Sequence, residues 1–339
     1  MSEEIESASG IIENCADAVE TIADLTSGIP TPIKKNAFKA FGQLCTAAVD
    51  IPVAYLEGAA AERRAETQAR IKLIDTGADQ IAKQMEVHPE YAHIAVKKFG
   101  QKILREQINL DIITKNAMDE ITQESYNEQD DSVENISSDW LNAFEKEAVN
   151  MSSDEMQLLF GKILAGEIKK PSSFSIRVVN LVSQLDKRTA ASFQLLCSLS
   201  TAISLDTHVL DARVISLGGN ASQNCLQKFG VTFSVLNALV EYGLVIPEFN
   251  SYMDYGLSVV RAGAASAPFK YQGKFYFLIP TGEGSPAAEF KFAGIALSLA
   301  GVELSKVVEM LPAEGYTAEL QQFFLKNNLQ MVEDRTPRT

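Results

Sequence analysis

Between Ser152 and Gln184 the chain reads as two helices joined by a sharp bend, and no other stretch restricts the fold as much. Ser152 and Glu155 have the spacing of a capping box, in which the hydroxyl takes an orphan amide and the carboxylate reaches back. Met156, Leu159, Phe160, Ile163 and Leu164 then recur with the period of one buried helical stripe. Pro171 ends that helix, because its ring disfavours α geometry at Lys170. Ser172 or Ser173 is placed to cap a second helix carrying Ile176, Val179 and Val182. This block carries structure and no reaction chemistry.

The rest of the chain divides around it. Ile11–Leu25, Asn36–Val49, Tyr55–Met85 and Tyr91–Gln123 have helical period, and Tyr55–Met85 is rich in Ala, Glu, Gln and Arg with a thin apolar stripe. Residues 126–138 are polar and acidic without periodicity and read as a linker. The expected organisation is an N-terminal helical region (1–125), the linker (126–138) and a central helical module (139–205). A C-terminal α+β domain (206–330) and a flexible tail (331–339) follow. Asp186–Ile203 reads as one helix of the module, and Ile295–Leu311 with Thr317–Asn327 as a closing helical pair.

The expected fold class is mainly α, with strands confined to a winged-helix-like C-terminal part. A helix over Phe229–Tyr242 ends at Gly243, and β-rich runs follow at Leu244–Phe249, Leu257–Ala262 and Lys274–Pro280. Tyr271-Gln272-Gly273-Lys274 is the expected hairpin turn. A DNA-reading helix needs bases for the phosphates. Here none lies between Lys228 and Arg261, and the wing offers only Arg261, Lys270 and Lys274. Both a DNA-reading and a protein-binding wing remain open, with Arg261 and Lys274 as candidate contact residues.

Net charge is −14, and it is uneven: residues 1–150 hold 27 acidic and 14 basic side chains, against 17 and 16 in the remainder. Such a half is repelled by nucleic-acid backbone and anionic bilayers and suits a solvated surface or a partner with a basic face. Four dispersed cysteines (Cys15, Cys45, Cys197, Cys225) without a CxxC pair fit reduced, buried thiols and a cytoplasmic protein. The acidic start does not resemble a signal peptide, and Phe38–Ala61 is too interrupted for a transmembrane segment. His88, His93 and His208 form no metal-ligand spacing, and Gly282–Ser285 and Gly218-Gly219 read as turns rather than phosphate loops. No catalytic residue, metal ligand or cofactor site is assigned. The expected assembly is a homo-oligomer through the N-terminal helices.

Several blocks together resemble an uncharacterised bacterial family, the domain of unknown function 2806, over about residues 28 to 330. They are Ala61–Arg70, Arg105-Glu106-Gln107-Ile108-Asn109 with Ala117, and Asp139-Trp140 with Phe144. Asp154-Glu155-Met156-Gln157, Ile163–Ile168, Pro171–Ser175 and Leu297–Leu304 complete the set. Ser172 stands where the family pattern has glycine after the proline. More faintly, Asp139–Leu196 is similar to the Abi-alpha class of abortive-infection proteins, which implies a non-enzymatic or partner-gated role in defence against phage. A winged-helix DNA-binding regulator and an enzyme with a site invisible in sequence are the alternatives. The family carries over no catalytic residues. Glu167 is the remaining candidate: either a contact across the bend, to Arg177 or to a partner, or a solvated helix-end charge, the reading favoured on sequence alone.

Overall fold

The computed structural model describes residues 31–44, 88–123, 134–205, 208–261, 265, 267–281 and 290–334. The expected helices over Ile11–Leu25 and Tyr55–Met85 lie outside them, as do Cys15, Cys45, Gly282–Ser285 and most of the acidic linker. The chain divides into two compact units, Met1–Ser183 and Gln184–Thr339.

In the first unit the described residues form five helices: α1 (Thr31–Leu44), α2 (Pro89–Thr122), α3 (Ser138–Ala148), α4 (Asp154–Lys169) and α5 (Ile176–Ser183). Ser137 caps α3 by accepting from the Trp140 amide, and Ser153 caps α4 by accepting from the Met156 amide. The α4 cap therefore sits one residue later than the Ser152 expected from sequence. Similarly Ser175, rather than Ser172 or Ser173, accepts from Val178 N at the start of α5. Helices α2 and α4 pack face to face. A Cβ on Gly161 would come within 2.6 Å of Asn116 Cβ, so the glycine sets how close the two backbones lie. The core is Ile113, Ala117 and Ile121 of α2 with Phe160, Ile163 and Leu164 of α4, all fully buried. Trp140 stacks on Phe144 at 5.1 Å between centroids, and Phe144 meets Phe160 at 5.4 Å.

The second unit overturns the expected fold class. Four helices, α6 (Lys187–Leu199), α7 (Phe233–Glu241), α8 (Leu299–Ser305) and α9 (Glu314–Lys326), accompany seven strands. The strands are β1 (Thr201–Leu205), β2 (His208–Ile215), β3 (Ser251–Asp254), β4 (Phe269–Tyr271), β5 (Lys274–Pro280), β6 (Lys291–Ala296) and β7 (Leu329–Glu333). They make one antiparallel sheet in the order β3-β6-β2-β1-β4-β5-β7. The protein is α+β, and this is not a winged helix.

The physical reason is that the sheet recruits strands from across the whole unit. The two strands that precede α7 and the two latest, β6 and β7, come from segments read as helix, loop or tail. Strand β1 begins within the run read as one helix to Ile203, and Met331–Glu333, read as tail, lie in β7. Of the β-rich runs expected after Gly243, Lys274–Pro280 is β5 and its hairpin with β4 is present. Gln272 (φ +48°) and Gly273 (φ +75°) form its turn, the paired left-handed geometry that such hairpins favour. Leu244–Phe249 contributes only a bridge from Val245 to Leu297, and Leu257–Ala262 holds a short 3₁₀ turn and a bridge at Val259. Against the sheet, Phe324 of α9 meets Tyr255, Phe269 and Phe292, and Tyr316 meets Tyr271. These rings are fully or nearly fully buried and form the core.

Candidate functional site

Glu167 is not a solvated charge. It is 2 % exposed, and it reaches across the bend to backbone rather than to Arg177, which is exposed. One carboxylate oxygen accepts from the Ser172 amide at 2.7 Å and the other from the Phe174 amide at 3.0 Å. Charge-assisted bonds of this kind are among the stronger ones a fold can make. The Trp140 indole N–H donates to the Phe174 carbonyl at 2.7 Å and holds the same turn from the other side. A Cβ on Gly166 would sit 2.6 Å from the Phe174 ring, which explains a glycine next to the glutamate. Ser172 itself is held at φ +66°, the left-handed region that favours glycine. That geometry accounts for the glycine expected there from the family pattern.

A second polar pairing joins two of the blocks noted in the sequence. Gln157 Nε2 donates to Asn109 Oδ1 at 3.2 Å, and Asn109 Nδ2 donates to the Val149 carbonyl at 2.8 Å. Both side chains are 4 % exposed. Likewise Asn36 accepts from the Ile136 amide and donates to the Glu134 and Ile168 carbonyls, tying α1 to α4 and to the segment before α3. The polar residues of these blocks therefore locate helices. Sequence reasoning missed these roles, since partners 40 to 132 residues apart leave no spacing to read.

In the second unit Arg213, Thr201 and Tyr255 are likewise satisfied within the fold, whereas the buried Ser216 and Ser258 hydroxyls have no partner among the described residues. Arg213 is 3 % exposed and makes a two-pronged pair with Asp211, two residues back on the same face of β2. Its third contact is the Ser251 carbonyl at 2.6 Å, which pins β3 to the sheet. Thr201, opposite Arg213 on β1, bonds the Arg213 carbonyl and the Tyr255 hydroxyl. Burial pushes the Tyr255 and Tyr316 phenols well above their ordinary range, so both stay protonated as donors or acceptors. Burial likewise raises the Cys197 and Cys225 thiols, which lowers their reactivity as nucleophiles. Among the described residues no group of His, Cys, Asp or Glu is placed to hold a metal ion. No described helix is long and apolar enough to cross a membrane.

The other two candidate contacts are separate. Arg261 lies over the Phe290 ring at 5.4 Å, and Lys274 pairs with Glu333 of the neighbouring strand β7 at 3.1 Å. Glu167 and Arg177 belong to the first unit, Arg261 and Lys274 to the second.

The feature that does present itself outward is the first half of α2. Tyr91, Ile94, Phe99 and Ile103 are 68 %, 54 %, 64 % and 48 % exposed. Lys97, Lys98, Lys102 and Arg105 stand among them. Isolated apolar side chains at a surface are ordinary, but four large ones within thirteen residues of one helix are more than that.

No match is found among curated proteins or among solved structures. Residues 95–321, two-thirds of the sequence, match the family described as "Protein of unknown function (DUF2806)", and the chain belongs to that family.

Proposed function

We propose that the protein is a non-enzymatic or partner-gated component of anti-phage defence that works as an assembly of its own copies in the cytoplasm. The observation that carries this reading is the open apolar run on α2, which a second copy would cover. Two further points support it. The buried Glu167, Asn109, Gln157 and Arg213 and the half-buried Asp211 all bond within the fold, so none is held ready for a substrate. The stretch Asp139–Leu196 is similar to abortive-infection proteins of the Abi-alpha class. A partner with a basic surface suits the acidic half of the chain.

The test pairs assembly with protection. Light scattering at tens of micromolar is expected to show at least a dimer, and Phe99→Glu to shift it to monomer without lowering the melting temperature. In cells challenged with phage, the same variant is expected to lose protection. A full-length chain that is strictly monomeric, or an assembled Phe99→Glu chain that protects normally, would count against the reading.

A further inference from the structure

Ahead of its buried stretch, α2 repeats apolar residues with the step of a paired helix. Ala92, Val96, Phe99 and Ile103 follow one another in steps of four, three and four. The line then meets Glu106 and continues as Leu110 and Ile113, which are buried in the unit. Ala92 is already buried and Val96 half-buried, so what stands open is Phe99 and Ile103. Apolar residues stepping by four and three form the seam along which one helix packs on another.

Connectivity selects the occupant. The chain that leads into α2 carries the same repeat in Ile74, Ala78, Ile81 and Met85, again in steps of four, three and four. Only Glu86, Val87 and His88 separate Met85 from Pro89, the first residue of α2. Laid antiparallel about the His88–Pro89 bond, the two lines form four layers with no residue out of step. Met85 falls on Ala92, Ile81 on Val96, Ala78 on Phe99 and Ile74 on Ile103. The phenylalanine thus meets an alanine and the alanine a methionine, the alternation of large and small by which layers interdigitate. One layer further on, Ile71 would face Glu106, where the open line stops. The flanks account for two glycines that otherwise only weaken a helix. Nothing lies within 4 Å of where a Gly100 Cβ would be. In this register Asp75 lies beside Gly100 and Lys102 beside Gly77, so the flanking charges do not oppose one another.

The hinge decides which copy supplies the segment. His88 is held extended, at φ −57° and ψ 130°, as the residue before a proline is. A three-residue connection stiffened in this way is strained when the chain folds back on its own helix. Short strained hinges favour exchange of the same element between copies. We infer that the open seam of α2 is filled by Ile74–Met85 of a second copy, each copy lending this segment to the other, which rests on the assembly reading above and gives that assembly its contact.

Ala78→Cys with Phe99→Cys, and separately Ile81→Cys with Val96→Cys, are placed in the full chain, oxidised, and the linked peptides mapped by mass. The expected product of each is a covalent dimer in which the two introduced thiols of different chains are joined. Ala78→Cys with Ile103→Cys, one layer out of register, is expected to link about tenfold less. Ala78→Asp is expected to weaken association by about tenfold or more, and Thr76→Asp, on the outer face of the segment, to leave it unchanged. Assembly with neither in-register link, or an Ala78→Asp chain that associates as tightly as the native one, overturns the inference and leaves the assembly in place. Links confined to single chains overturn the second copy as their source. A full-length chain that is monomeric throughout removes the assembly reading, and this inference with it.

Discussion

Glu167→Gln keeps the volume of the side chain and removes one of its two acceptors. The amide group of glutamine then faces either the Ser172 or the Phe174 N–H as a donor, and one charge-assisted bond is lost. A hydrogen bond to a charged group contributes about 1.5–3 kcal/mol, and a buried donor left without an acceptor costs about 1–3 kcal/mol. The two overlap, so the expected loss is about 2–4 kcal/mol. For a unit of this size each kcal/mol moves the melting temperature by about 2–4 °C. The melt of the variant, followed by circular dichroism, is therefore expected to fall by about 4–16 °C. Glu167→Asp is expected to fall comparably, because the shorter side chain cannot reach both amides. Below its melting temperature the Gln variant should still protect against phage. A fall of less than about 2 °C would mean that the carboxylate does not hold the bend. Lost protection with an unchanged melt would make Glu167 a contact for a partner.

Ser172→Gly removes a side chain from a left-handed position and is expected to raise stability by about 0.5–1 kcal/mol in a urea melt, net of the extra freedom glycine gives the unfolded chain. Phe160→Ala empties a fully buried site beside Phe144 and should cost about 3–5 kcal/mol, with soluble yield falling alongside. Asp186 caps α6 through the Thr189 amide and hydroxyl, chiefly the hydroxyl bond, and these hold its carboxyl below the usual value of 3.8. Because the folded value is the lower one, the cap's contribution is fully present above the usual value and is lost as pH falls through the lowered one. An NMR titration of the Thr189 amide is expected to show its midpoint below that of an unfolded aspartate.

Periodicity located the helices of the first unit because each is long enough to repeat its stripe. Phe160, Ile163 and Leu164 form the core the spacing implies. The sheet escaped for a different reason. Strand β1 follows α6 with only Ser200 between, and Leu199-Ser200-Thr201 holds no glycine or proline to mark the change. Alternation along β1 is also broken by a register shift between Ile203 and Ser204. Strand β6 is six residues long and contains Gly294, which the Val214 carbonyl approaches too closely to admit a Cβ, so it carries little strand signal. The bend was legible through Pro171, whereas the burial of Glu167 was not. Its partners are main-chain amides, which every residue except proline offers and which no spacing reveals.

Strand β7 also bears on the order in which the chain is made. A ribosome delivers Ser183 when the whole first unit is already in hand, and that unit is free to settle while synthesis continues. The second unit has no such liberty. Strand β1, fourth in the row, must wait for β4, some seventy residues later, and β5 keeps an unpaired edge until Leu329–Glu333 have been added. Joining partners so far apart in the chain is slow. Until it happens, the aromatic floor of Tyr255, Phe269 and Phe292 lies without α9 above it, and the nascent protein passes through an interval of exposed rings and an open strand edge. A chaperone that shelters such surfaces would be needed for the second unit and not for the first.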